Sequence, residues 1–198
     1  MSSTMKKSKP DHMHQATLLP GYIETHVKLA KHRVLFMSED VTDVMASEMS
    51  AMLLYFDSQD HDTPIEIYLN SPGGEVSGLF NIYDVMQMIK APIRTICAGC
   101  CYSAAAVILA SGTKGERCAF PNSKIMIHGI QCAFPVLGDI ARSKNYHDFL
   151  LENNDSIMKV LAHHTEQPLD RIKKDCKEDN WMSAEEAQAY GIIDQIIP

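Results

Sequence analysis

Long hydrophobic runs are missing from this 198-residue chain. None approaches the roughly 18 to 20 apolar residues that a bilayer-spanning helix requires, so no membrane partner is expected. A surplus of positive charge is missing too. Lysine and arginine number 18 against 25 acidic residues, for a formal net charge of -7. No Lys/Arg cluster is interleaved with aromatics, which argues against nucleic acid as a partner. No apolar segment of secretory type follows Lys6, Lys7 and Lys9, and the expected location is cytoplasmic, in a bacterium or an equivalent organellar compartment. Cysteine is present without the paired spacing of a zinc site. Cys118, Cys132 and Cys176 stand apart and only Cys97, Cys100 and Cys101 cluster, so small buried thiols are expected and no metal. The glycines lack the Gly-Lys-Ser/Thr of a phosphate loop and the third glycine of a dinucleotide fingerprint. No Gly-x-Ser-x-Gly elbow surrounds Ser103 either, which disfavours an α/β-hydrolase.

What is present is an ordinary globular composition, 45% hydrophobic and 22% charged. Residues 1–16 are polar, contain Pro10 and show no periodicity, and they read as a flexible tail. Beyond Pro20 the pattern alternates. Arg33 to Met37 reads as a strand, and Met45, Met49, Met52, Leu53 and Phe56 recur at helical spacing. Ile65, Ile67 and Leu69 mark a second strand that runs into Asn70-Ser71-Pro72-Gly73-Gly74. Leu79, Ile82, Tyr83 and Met86 mark a helix before the breaker Pro92. Ile93 to Ala98 reads as a strand, Ser103 to about Ser111 as a short helix, and Lys124 to His128 as a strand. A long helix is expected from about Asp139 to His164. Ser183-Ala184-Glu185-Glu186 is a capping box, Gly191 a helix stop, and Ile192 to Ile197 a last strand. Strands alternating with helices predict an α/β layered domain with its functional groups at strand ends.

Three positions carry the chemistry. Ser103 stands between a strand and a helix, where a serine is ordinarily a cap. As a nucleophile it needs a base and an orienting anion. His128 at a strand end and Asp179 before Asn180-Trp181 are of the right types, although a sheet-end histidine and a turn carboxylate are the commoner fates of such residues. Gly73-Gly74, between a strand and a helix, fits an anion cradle, a tight turn of positive φ, or an oxyanion hole beside a nucleophile.

Together these segments resemble the proteolytic subunit of the ATP-dependent Clp protease, ClpP, over roughly Arg33 to Ile197. The resemblance rests on Tyr68-Leu69-Asn70-Ser71-Pro72-Gly73-Gly74, the Ser103 segment, Gly115-x-Arg117, Pro121 to His128, and Asp179-Asn180-Trp181-Met182-Ser183-Ala184-x-Glu186-Ala187. It implies a ClpP/crotonase-like fold spanning residues 17–198, with a helical handle at about 129–165. It further implies a serine endopeptidase in which Ser103 is the nucleophile, His128 the general base and then acid, and Asp179 the orienting carboxylate. The oxyanion hole would be the backbone N-H groups of Gly74 and Ala104. Unfolded polypeptide would lie as an added strand along Gly73, Gly74, Gly129 and Ile130. The partners implied are that polypeptide, further subunits in two stacked rings of seven, and a AAA+ unfoldase, which uses the ATP. No cofactor belongs to this subunit.

The chain departs from the family pattern between Thr17 and Thr25, where the usual axial-loop sequence is not recognisable, and in three further places. Tyr102-Ser103-Ala104-Ala105 stands where Ala-Ser-Met-Gly is common. Gly129-Ile130-Gln131-Cys132-Ala133-Phe134-Pro135 replaces a Gln-Pro and glycine-rich strand. Lys177-Glu178 takes the place of an Asp-Arg pair, with reversed signs. These departures leave a second reading, a weakly active or structural paralogue within a mixed ring. A third, a crotonase-like acyl-CoA enzyme, is disfavoured by the intact serine, histidine and aspartate.

Overall fold

The computed structural model describes residues 21–131 and 140–198. The tail expected over residues 1–16 lies outside the described residues, as does Pro135. Alternation along Ile65, Ile67 and Leu69 becomes strand β2 (Ile65–Ser71), with β1 (Val34–Met37) and β3 (Ile93–Tyr102) parallel on either side. The connections are helical, as parallel pairing demands: α2 (Asp43–Gln59) and α3 (Val76–Met88). Helix α2 starts where the Thr42 side chain accepts the Met45 N-H. Arg33 lies at its other end, where Nη1 donates to the Phe56 carbonyl at 2.8 Å and Nη2 to that of Asp60 at 3.1 Å. Preceding β1 is α1 (Tyr22–Ala30), a helix not expected from the pattern.

Strand β3 runs four residues further than its apolar pattern, through the cysteine cluster, because it has different neighbours along its length. Thr95 to Cys97 pair with β4 (Arg117–Ala119), whereas Cys100 to Tyr102 pair with β5 (Lys124–Ile127). Beyond β4 lies β7 (Gln195–Ile196), a shorter closing strand than the six residues expected. Beyond β5 lies β6 (Asn180–Ser183), antiparallel to it. Helix α4 (Ala104–Ala110), its residues all buried, packs across β3. Helices α5 (Ile140–Thr165) and α6 (Leu169–Asp175) follow. Ile157, Met158 and Leu161 bury the later part of α5, while Tyr146, Phe149 and Leu151 on its earlier part are exposed. The expected capping box opens α7 (Ala184–Tyr190), and Gly191 at φ 93° ends it. Among the described residues no helix is long and apolar enough to cross a membrane.

Arg117, 1% exposed, ties three elements together. Its guanidinium donates to both Asp194 carboxylate oxygens, at 2.6 and 2.8 Å, and to the His164 carbonyl at 2.7 Å. The His164 ring lies alongside, edge-on to Tyr83. Burial first, then His163 and Arg117, depress its pKa from 6.5 to about 4. Between those values the unfolded chain binds a proton that the folded chain refuses, so stability is complete above pH 6.5 and falls as pH drops toward 4. Discounted for solvent screening on its open side, the loss is on the order of 1–2 kcal/mol. Urea unfolding at pH 7 and pH 5 is expected to show this loss in the wild type and a smaller one in His164→Gln.

Candidate active site

Sheet register brings the chemical groups together. On one rung, Tyr102 of β3 faces Met126 of β5, and Met126 faces Trp181 of β6. The Tyr102 and Trp181 rings meet edge-on, with centroids 4.9 Å apart. Ser103 follows Tyr102 and donates its N-H to the Met126 carbonyl at 2.8 Å. The antiparallel ladder ends with Ile127 opposite Asn180. One further step of that register sets His128 opposite Asp179, and His128 Nδ1 lies 3.4 Å from Asp179 Oδ1.

Ser103 is not the ordinary cap that its position suggests. It stands at the N-cap of α4 with φ 54° and ψ -123°, and its side chain makes no capping hydrogen bond. A non-glycine residue at positive φ on a strand-to-helix turn is strained, and here the turn presents the hydroxyl to a cleft. That cleft, of about 90 Å³, is lined by Gly74, Ser103, Ala104, His128, Gly129 and Ile130 among others. Gly73 lies immediately behind the serine: a Cβ at its position would come within 2.7 Å of the Ser103 Cβ. Of the sequence-derived residues, Gly73 and Asp179 stand off the cleft, Gly73 behind the serine and Asp179 beside the imidazole.

Two backbone donors belong to residues that line this space. Val41 and Gly74 form a parallel bridge in which Val41 donates to Gly73 and Glu75 donates to Val41. In that pattern the N-H of Gly74 points away from Val41. Its φ of 154° and the 2.3 Å separation between a hypothetical Cβ and the Val41 carbonyl oxygen leave room only for glycine. The Ala104 N-H belongs to the first turn of α4, where helical amides have no partner within the helix.

The chain after His128 is held on two sides. Gly129 donates to the Cys176 carbonyl, and Ile130 donates to Asn154 Oδ1 on α5, both at 2.8 Å. Gln131 Nε2 then donates to Asp179 Oδ1 at 3.1 Å. His128 Nδ1, buried and near the same oxygen, makes no hydrogen bond. Sequence reasoning missed Gln131 and Asn154, whose partners lie 48 and 24 residues away in the chain. Among the described residues no cluster of His, Cys, Asp or Glu is placed to hold a metal ion.

A hydroxyl and an imidazole that line one cleft, a carboxylate 3.4 Å from the imidazole and two backbone amides of residues in the cleft wall form a set suited to acyl transfer. Compared with known families, residues 22–198 match the family model for Clp protease.

Proposed function

Because the chain belongs to the Clp protease family and is a peptidase-type proteolytic subunit, we propose that it is a serine endopeptidase that cleaves unfolded polypeptide. The β5–β6 register that sets His128 opposite Asp179 carries this reading. His128 takes the Ser103 proton as Oγ attacks the scissile carbonyl carbon. The developing oxyanion accepts hydrogen bonds from the Gly74 and Ala104 amides. Collapse of the tetrahedral species breaks the C-N bond, and His128 gives its proton to the leaving amine. Water, deprotonated by the same imidazole, then releases the acyl chain and restores Ser103. Asp179 holds the imidazole orientation and stabilises its charged form. The substrate lies extended between Gly73-Gly74 and Gly129-Ile130, bound through its main chain.

Assembly belongs to the same proposal. The exposed Tyr146, Phe149 and Leu151 on α5 are surfaces for ring-to-ring packing in two stacked heptamers. An AAA+ unfoldase that spends ATP feeds the chamber, in the cytoplasm or an equivalent compartment. Native mass spectrometry of the purified chain, run beside hydrolysis of a fluorogenic peptide, tests both halves. A tetradecamer that cleaves the peptide is expected. A monomer that cleaves nothing until a paralogous subunit is added would favour the second reading. The observation on that side is the unmade hydrogen bond at His128 Nδ1.

That unmade bond has its own test. Gln131 draws on the oxygen that His128 needs, so Gln131→Leu leaves Asp179 to the imidazole. One hydrogen bond contributes about 1 kcal/mol, and phosphonylation of Ser103 by a fluorophosphonate is expected to quicken about fivefold. A slower reaction would mean that the amide holds the carboxylate toward His128.

A further inference from the structure

The clustered cysteines take no part in this chemistry, yet they occupy the bulge that delivers Ser103. Leu69 faces Cys97 and Ser71 faces Cys101 across β2 and β3, so four residues of β3 run beside two of β2. Gly99, at φ 116°, lies in the excess chain. Two strand residues rise about 6.6 Å, whereas four would rise about 13 Å. The bulge thus draws the Cα atoms of Cys97 and Cys101 to the upper edge of the range that a disulfide spans, about 4.4–6.8 Å. Their partners alternate in phase, so both side chains face the same side of the sheet. Both residues are fully buried, and the Cys101 thiol donates back toward the Leu69 carbonyl at 3.8 Å, the carbonyl of the residue that faces Cys97.

The two sulfurs are unequal. The neighbouring Cys101 side chain, with help from Ser123, outweighs burial to hold the Cys97 pKa below its usual value. Burial pushes that of Cys101 well up. Cys100, on the excess chain and partly exposed, donates its Sγ-H to Asn70 Oδ1 at 3.4 Å. Burial raises its pKa as well, so its thiol ionises less readily than that of Cys97.

We propose that Cys97 and Cys101 form an oxidisable dithiol site whose oxidant is hydrogen peroxide and whose product is a disulfide across the bulge. The Cys97 sulfur attacks one peroxide oxygen and the O-O bond breaks. Water leaves, and Cys97 becomes a sulfenic acid. The Cys101 sulfur attacks that sulfur, an S-S bond forms and the S-O bond breaks. The departing hydroxide takes the Cys101 proton as a second water. Two thiols are oxidised, one peroxide is reduced, and a dithiol reductant reverses the change. Ser103 follows Cys101 by two residues, so closure shifts the nucleophile turn. That consequence rests on the peptidase reading, whereas the disulfide does not.

The test treats the full chain, in its native assembly, with hydrogen peroxide, then alkylates it in denaturant and maps the tryptic peptide from Thr95 to Lys114. The expected peptide has lost two hydrogens and carries one alkyl group, on Cys100. Fluorophosphonate labelling of Ser103 is expected to slow on the order of a hundredfold, as displacement of a reacting group by about 1 Å does, and to recover with dithiothreitol. Cys97→Ala and Cys101→Ala, each small enough to fill the same space, are expected to abolish the mass loss. Three alkylated cysteines after treatment, or a response lost in Cys100→Ala and retained in Cys101→Ala, would overturn the site. A disulfide formed in a chain that never labels would leave the site standing and count against the peptidase reading.

Discussion

Ser103→Ala is expected to lower kcat/KM for a short fluorogenic peptide by about 10⁵-fold or more and to abolish fluorophosphonate labelling. A nucleophile acting in concert with its base leaves only the residual rate of binding and the oxyanion site when removed. The geometry makes this a clean measurement. The Ser103 hydroxyl makes no capping bond, and the backbone bond from Ser103 N-H to Met126 is retained by any residue there. Thermal stability should therefore change little, by no more than about 0.5 kcal/mol. Retained hydrolysis in a folded Ser103→Ala chain would reject Ser103 as nucleophile.

Gly73→Ala should have the next largest effect on activity while also costing stability. The added Cβ would lie 2.6 Å from the Tyr102 carbonyl oxygen, 2.7 Å from the Ser103 Cβ and 3.0 Å from the Ala104 nitrogen. These contacts belong to the nucleophile turn itself, two of them to its backbone, so no side chain can swing aside. The φ of 97° adds strain of its own. A fall in kcat/KM of about a hundredfold or more is expected, with about 2–3 kcal/mol lost in urea unfolding. Gly115→Ala is the control. Gly115 has a similar φ of 91° but nothing within 4 Å of the added carbon. It should lose about 1 kcal/mol and no activity. Equal kinetic losses in the two variants would mean that backbone strain, and not contact with the Ser103 turn, sets the effect.

The elements readable in the sequence are those that bury a periodic face. Ile65, Ile67 and Leu69 of β2, and Met49, Leu53 and Phe56 of α2, lie inside as their spacing predicts. The capping box of α7 was legible because it is chemistry between neighbours. Elements that exist through distant pairing were not. The three residues of β4 are a strand because Thr95 to Cys97 lie beside them, and β6 is one because β5 does. The second half of β3 holds Gly99 and two adjacent cysteines, no strand signature, and is extended because Lys124 to Met126 accept it. The same division holds at the site. Ser103, His128, Asp179, Gly73 and Gly74 were legible as residue types at boundaries and in family order. Gln131 and Asn154 were not, since a carboxamide has no local pattern and its role depends on what the fold lays beside it.

The ladder through β3, β5 and β6 carries one further consequence, for changes in chain length. Between His128 and Asp179 the chain travels through the whole of α5 and α6, yet their alignment depends only on the few residues paired from Lys124 to Ile127 and from Asn180 to Ser183. Residues gained or lost in the long excursion can leave the register untouched. One residue gained or lost within either strand turns every later side chain to the opposite face and sets His128 across from Glu178 or Asn180 in place of Asp179. The site therefore tolerates insertion across dozens of residues and forbids it within eight.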